Sequence, residues 1–436
     1  MNEINITIKL KKIINDLNNN NFDEALRKLN ILSQQDQNKD FINRLFASIY
    51  FKKKNWNKSI EYYERILPRE AEKFKIYTNI GVAFFNLGKI NRSIESYKKA
   101  IKDNYNFELA HTNLGISYIE IGEYEQATNS FASALKLNNK NFYAQKNLID
   151  IFNVIKPKNI SDHPLININN EINKIVNNNK IKDLKKLENI KKILHDSDNI
   201  IKNFDENLFT NETQIYRKNS KNLNCNRHFK IFNKFNIIPK FCFSCYKIQI
   251  NLKNIVDLIK LYFVFDNLCL KNNNIRKCMV ELRDQIKGNY KGYIYCEGLL
   301  EAKEIMQNIK KIIIKSNLKN FKIEIKHGCS EFYRSYHKFE KINFNGKQEM
   351  EYNKDWKNKE KLIDNKDPER LEADKKIFGE YLKGINLSDI LIINNWINYA
   401  KNIGDYSYKK IYNKEIKVSF VNSVLKNQLE FRKTNL

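Results

Sequence analysis

The sequence predicts a multidomain chain: an all-α solenoid of stacked helical hairpins, then an α+β domain of order β-α-β-β-α-β, then a helical C-terminal region. Three observations predict it. Residues 6–156 carry a pattern that returns every 34 residues, as from Gly81 to Gly115. Residues 223–345 switch to short β-branched and aromatic runs interleaved with helical stripes. Residues 346–436 return to helical spacing, and 157–222 reads as a linker containing amphipathic helix.

The repeat is clearest where Tyr77 to Gly88 returns as His111 to Gly122. Ile80 recurs as Leu114, Phe84 as Tyr118, Tyr97 as Phe131 and Ala100 as Ala134. Two earlier copies keep the period. The small-residue row is Ala25, Ser59, Ser93 and Ala127, and the row of larger side chains after it is Leu29, Tyr63, Tyr97 and Phe131. One helical hairpin cannot bury its apolar stripe alone, so such units stack. Small residues let paired helices approach, aromatics fill the groove, and Gly88 and Gly122 suit the turn between helices. Tyr143–Val154 reads as a capping helix ended by Pro157.

These residues resemble the tetratricopeptide repeat (TPR) family, over roughly a third of the chain. The sequence departs from the family where Tyr77 and His111 stand in place of its Trp, and Tyr105 and Asn139 in place of its closing Pro. The resemblance implies a concave face that holds a protein or peptide partner. It also implies that Asn79, Asn113 and Asn147 line that face and hydrogen-bond the backbone of an extended peptide. His111 reads as a packing residue rather than a base.

In the linker, Glu171–Asn203 has the spacing of one or two amphipathic helices, and Phe204–Asn224 is read as irregular. The next domain orders strand Phe241–Ile250, helix Asn254–Leu268, strand Arg276–Arg283, strand Gly292–Cys296, helix Leu299–Lys315 and strand Phe321–His327. That order is the split unit of ferredoxin-like folds, whose helices cover one sheet face only. Alternation puts Lys247, Gln249, Lys277, Met279, Glu281, Arg283, Tyr293, Tyr295, Lys322 and Lys326 on the other face. Basic side chains among aromatics can neutralise phosphates and stack bases, so Lys247, Arg283, Tyr293 and Tyr295 are candidate nucleic-acid contacts. Lys291–Tyr295 faintly resembles the first ribonucleoprotein motif of RNA recognition domains, departing from it at Ile294 and Gly298.

Cys225 and His228, followed by Cys242 and Cys245, form two pairs with the ligand types of a structural zinc site. No glycine follows either pair, and strand geometry would point Cys242 and Cys245 apart; buried core cysteines are the competing reading. His327 and Cys329, with Glu331 nearby, offer a nucleophile and base without an oxyanion hole or orienting partner. No complete catalytic set and no phosphate-binding glycine loop is legible, so the reading leans away from an enzyme. In the C-terminal region, Tyr352–Ile363, Pro368–Leu382 and Asp389–Ile403 read as helices, and Ile416–Phe420 as a short strand or helix start.

The 42% hydrophobic content across 436 residues is enough for real cores. The net charge of +27 accompanies abundant Lys, Asn and Ile and only 12 Gly, which is read mainly as a compositional bias spread over solvated faces. Met1–Leu10 has no compact apolar stretch, and no apolar run reaches the ~18–20 residues of a spanning helix. With seven cysteines, a cytoplasmic chain with free thiols and no membrane partner is expected. The leading expectation is a TPR scaffold or adaptor with a second recognition domain. The alternatives are RNA binding on the open sheet face and an enzyme seated in the α+β domain.

Overall fold

The computed structural model describes residues 3–34, 39–158, 163–178, 186–204, 208–217, 223–284, 286–318, 320–365, 382–412 and 421–434. Two units are present. The first holds residues up to Ala144, and the second begins at Gln145 and includes the C-terminal helices.

The first unit is built of four helical hairpins: α1 (Glu3–Asn18) with α2 (Phe22–Ser33), α3 (Lys39–Lys52) with α4 (Trp56–Ile66), α5 (Lys73–Asn86) with α6 (Ile90–Asp103), and α7 (Glu108–Glu120) with α8 (Tyr124–Leu137). A ninth helix, α9 (Phe142–Ile151), spans the boundary between units. The turn inside each hairpin has one solution. Asn20, Lys54, Gly88 and Gly122 occupy the same repeat position and all have positive φ, between 58° and 76°. The next N–H then reaches back to a carbonyl of the first helix: Asn21 to Asp16, Asn55 to Tyr50, Lys89 to Phe84 and Glu123 to Tyr118, at 2.8–3.0 Å. This is the Schellman closure, in which a left-handed residue lets the chain satisfy orphan carbonyls. The two glycines adopt it freely, whereas Lys54 does so against its Cβ.

The period also fixes packing inside each hairpin. A Cβ on Gly81 would stand 2.6 Å from the ring of Tyr97, and one on Gly115 2.6 Å from the ring of Phe131. One period earlier, Ala47 shares a core with Tyr63. In the first hairpin the larger Ile13 is matched by the smaller Leu29. Volume is therefore traded across the row, as close-packed interiors require.

The second unit holds helices α10 (Pro164–Asn178) and α11 (Leu187–Lys202), packed on each other, and a five-stranded antiparallel sheet. Its strands are β1 (Gln214–Arg217), β2 (Cys245–Leu252), β3 (Arg276–Val280), β4 (Tyr290–Glu297) and β5 (Lys322–His327), in the order β1-β3-β4-β2-β5. The segment read as irregular thus contains an edge strand. The alternation in Gln214–Arg217 is only four residues long, too short to stand out against its polar surroundings. Phe241–Ser244, read as the start of a strand, lies in a 3₁₀ turn, and β2 begins at Cys245. Between the strands lie α12 (Cys225–Phe235), α13 (Ile255–Asp266) and α14 (Leu299–Lys315). Helix α13 presses close on the sheet: a Cβ at Gly292 would stand 2.4 Å from Leu261.

Helix Leu387–Ile403 packs against α10, α13, β1 and β3. It begins with a capping box between Asn386 and Asp389 and ends at Gly404, φ 90°. Its buried Asp389 joins a network on Arg217, which is 1% exposed. The Arg217 guanidinium donates to Asp266 (2.5 Å), Asp389 (2.9 Å), the Tyr262 hydroxyl (2.7 Å) and the Gly384 carbonyl (2.7 Å). Every charged atom taken out of water here has a partner, the condition under which burial of an ion pair is tolerated. The helix expected at Tyr352–Ile363 runs Trp356–Asp364; those expected at Pro368–Leu382 and Ile416–Phe420 fall almost wholly outside the described residues.

Candidate functional site

Asn79 and Asn113 project from the first helices of successive hairpins, and both are half-buried. The Asn79 amide donates to the Tyr63 hydroxyl at 3.1 Å. One of its two donors is therefore committed to the scaffold, while its carbonyl keeps acceptor capacity. Asn147 lies on α9 beyond the boundary, in the second unit. His111 is 4% exposed and its Nε2 lies 2.9 Å from the Tyr105 carbonyl; burial holds its pKa below the ordinary value. It packs, as its spacing suggested. Sequence reasoning passed over Leu109 and Tyr143, which are equivalent in the repeat and 46% and 68% exposed. Exposed apolar side chains at a fixed repeat position were the available signal.

On the sheet, register sets Lys247 opposite Tyr295, Gln249 opposite Tyr293, and Lys277 opposite both Tyr293 and Tyr216. The expected residues that lie in strands share one face, whereas Glu281 and Arg283 follow the end of β3. Tyr293, however, is only 6% exposed, which corrects the expectation that it offers a ring for base stacking. The ammonium groups of Lys247 and Lys277 both lie over its ring, at 5.9 and 5.1 Å from the centroid. Arg283 is turned to carboxylates, donating to Glu281 at 2.7 Å and to Glu331 at 3.3 Å. Glu281 also takes Lys291 at 2.8 Å. Burial pushes the Glu281 carboxyl up, but Arg283 and Lys291 outweigh it and hold the pKa at about 2.

The proposed zinc ligands come from three elements, α12, the 3₁₀ turn before β2, and β2 itself. Cys225 opens α12 and His228 lies one turn along it, stacked on Phe241 at 5.3 Å. Cys242 is buried in a cluster with Ile238, Phe332 and Phe339, whereas Cys245 begins β2. Among the described residues no three His, Cys, Asp or Glu side chains, these four included, are placed to hold a metal ion.

His327 cannot serve Cys329 as a base. Its ring is stacked between Tyr246 (4.5 Å) and Phe339 (4.1 Å), with Nδ1 2.8 Å from the Phe339 carbonyl and Nε2 3.1 Å from that of Phe243. Each nitrogen thus faces a backbone carbonyl, and the neutral ring donates to one of them. The Cys329 thiol instead accepts a contact from Lys247 Nζ at 3.5 Å.

Two family models match the chain, one for a TPR repeat over residues 81–122 and one for a tetratricopeptide repeat over residues 109–141. No curated relative matches the sequence. Among solved structures, the chain is similar to a crystal structure of MamA at 19% identity and a TM-score of 0.30, over 32% of this chain and 81% of that one. It is similar to the first TPR of Spaghetti (RPAP3), solved with the HSP90 peptide SRMEEVD, at 22% identity and a TM-score of 0.25, over 27% and 92% of the two chains. A third is the TPR2B domain of yeast Sti1 in complex with an Hsp70 peptide, at 24% identity and a TM-score of 0.24, over 26% and 92%. The C-terminal part matches no family model. The N-terminal region, at residues 81–141, is made of tetratricopeptide repeats.

Proposed function

We propose that the chain is a protein-binding scaffold whose repeat array grips an extended peptide or partner protein. The observation that carries this reading is the match of residues 81–141 to the repeat family, joined to a 34-residue period that recurs in turns and packing alike. In this reading the amides of Asn79, Asn113 and Asn147 hydrogen-bond a peptide backbone, and the exposed Leu109 and Tyr143 meet its apolar side chains. Residues 6–156 act as the binding array and 223–345 as a second recognition domain. The latter is read as ferredoxin-like, a reading supported by four strands in the spatial order β5-β2-β4-β3, with β1 added at the edge. A cytoplasmic setting is supported by seven free cysteines. Among the described residues no helix is long and apolar enough to cross a membrane.

The test is a peptide-array screen with the full chain, followed by titration of the best peptide. Asn113→Ala should weaken that peptide about tenfold, the value of a hydrogen bond to a desolvated amide, with helicity unchanged. A chain that binds no peptide, or whose peptide ignores Asn79→Ala, Asn113→Ala and Leu109→Ser alike, would refute the reading.

A further inference from the structure

The sheet face that holds Lys247, Lys277 and Tyr293 carries charge that the described residues leave without a carboxylate. Its other cations are matched: Lys291 and Arg283 share Glu281, and Lys322 pairs with Glu324 at 3.0 Å. Lys247 and Lys277 differ. Both are half-buried, on the two strands that flank β4, and among the described residues neither forms an ion pair. Their polar contacts are weak for an ammonium: the Cys329 thiol at 3.5 Å for Lys247 and the Gln214 side-chain amide oxygen at 3.3 Å for Lys277. Tyr216, Tyr293 and Tyr295 wall them in, with ring centroids 5.1–5.9 Å from the two Nζ atoms. Two cations withdrawn from water beside one ring are costly unless an anion joins them.

We propose that Lys247 and Lys277, with the tyrosines around them, form a binding site for a small phosphate monoester. The charge argues for phosphate. Two unmatched ammonium groups balance a dianion, which a phosphoryl group approaches near pH 7 and a single carboxylate does not. The burial of the central ring argues against a nucleic-acid strand, because Tyr293 is only 6% exposed and strand binding needs bared stacking faces along a groove. Burial, then the charges of Lys247 and Arg283, lowers the Lys277 pKa to about 8; at Lys247 burial also lowers the pKa, but Cys329 and Cys245 outweigh it and raise it. The site is independent of the peptide-binding reading, since its residues lie on the sheet.

The full chain is titrated with inorganic phosphate, phenyl phosphate, acetate and single-stranded oligouridylate at fixed ionic strength, following heat uptake and thermal midpoint. Phosphate and phenyl phosphate should bind at one site, with affinity reduced at least tenfold in Lys247→Met and in Lys277→Met and unchanged in Lys322→Met. Without ligand, Lys277→Met should melt no lower than the parent, since it removes an unmatched cation; this separates lost binding from lost folding. Phosphate heats that are absent, or equal in all three variants, would overturn the proposal. So would acetate binding as tightly as phosphate, or oligouridylate binding that depends on the same lysines and outcompetes phenyl phosphate.

Discussion

In the repeat array, interlocking side chains come from neighbouring helices: Gly81 admits the ring of Tyr97, and Gly115 that of Phe131. In the sheet unit, Arg217 meets Asp389 across 172 residues of sequence, and the Asn289 amide reaches the Arg432 carbonyl across 143. The array buries mostly small and apolar groups. The sheet unit buries Arg217, Arg276, Lys291, Glu281, Asp389 and Arg432, each 1% exposed or less. The difference teaches where specificity resides. A solenoid is specified locally, copy by copy, and tolerates drift within a row when a neighbour compensates. A sheet assembled from distant segments needs polar contacts that only the intended partners satisfy, and each is costly to break.

The largest expected effect breaks the comparison from the sheet side. Arg217→Met strands Asp266 and Asp389 in the interior and should cost the second unit about 3–5 kcal/mol. Urea unfolding should show a lower midpoint for that unit, with the array's transition unmoved; a loss below 1 kcal/mol would mean that the network is not a keystone.

A smaller effect comes from pH. Burial, then the charge of Arg227, holds the His228 pKa at about 4, below its usual 6.5. The unfolded chain therefore takes up a proton below pH 6.5 that the folded chain refuses until about pH 4, and stability falls as pH falls through that window. Between pH 7 and 5 this amounts to about 2 kcal/mol. His228→Phe should flatten the pH dependence of the urea midpoint by that amount; an unchanged slope would count against a buried neutral imidazole.

An effect of similar size sharpens the array side. Gly115→Ala should cost about 2 kcal/mol by pressing a methyl group on the Phe131 ring. Adding Phe131→Leu should return most of it, because Ile13 with Leu29 already uses that trade in the first hairpin. A double variant as unstable as the sum of the singles would show that the row does not exchange volume.

The repeat helices were legible because each row restates the last: Ser59, Ser93 and Ala127 hold one position, and no long-range information is needed to align them. The periodic helix Leu387–Ile403 and strands β2 to β5 were legible from alternation and length, to within a few residues. Strand β1 was not, being four residues in a polar stretch whose place is set by pairing with β3. The site residues were only half legible. Alternation put Lys247, Lys277 and Tyr293 on one face, but could not say that Tyr293 is buried or that Arg283 is claimed by Glu281 and Glu331.

By itself, the sequence determined what repeats within a few tens of residues: hairpin packing, the turns at Gly88 and Gly122, and the faces of the strands. Only the tertiary structure decided which charges found partners. It put Asp389 against Arg217, turned His327 away from Cys329 onto two backbone carbonyls, and left Lys247 and Lys277 without a carboxylate among the described residues. The physical reason is range. Steric and hydrophobic periodicity acts along the chain, whereas the pairing of buried charge depends on segments that meet only once the chain has folded.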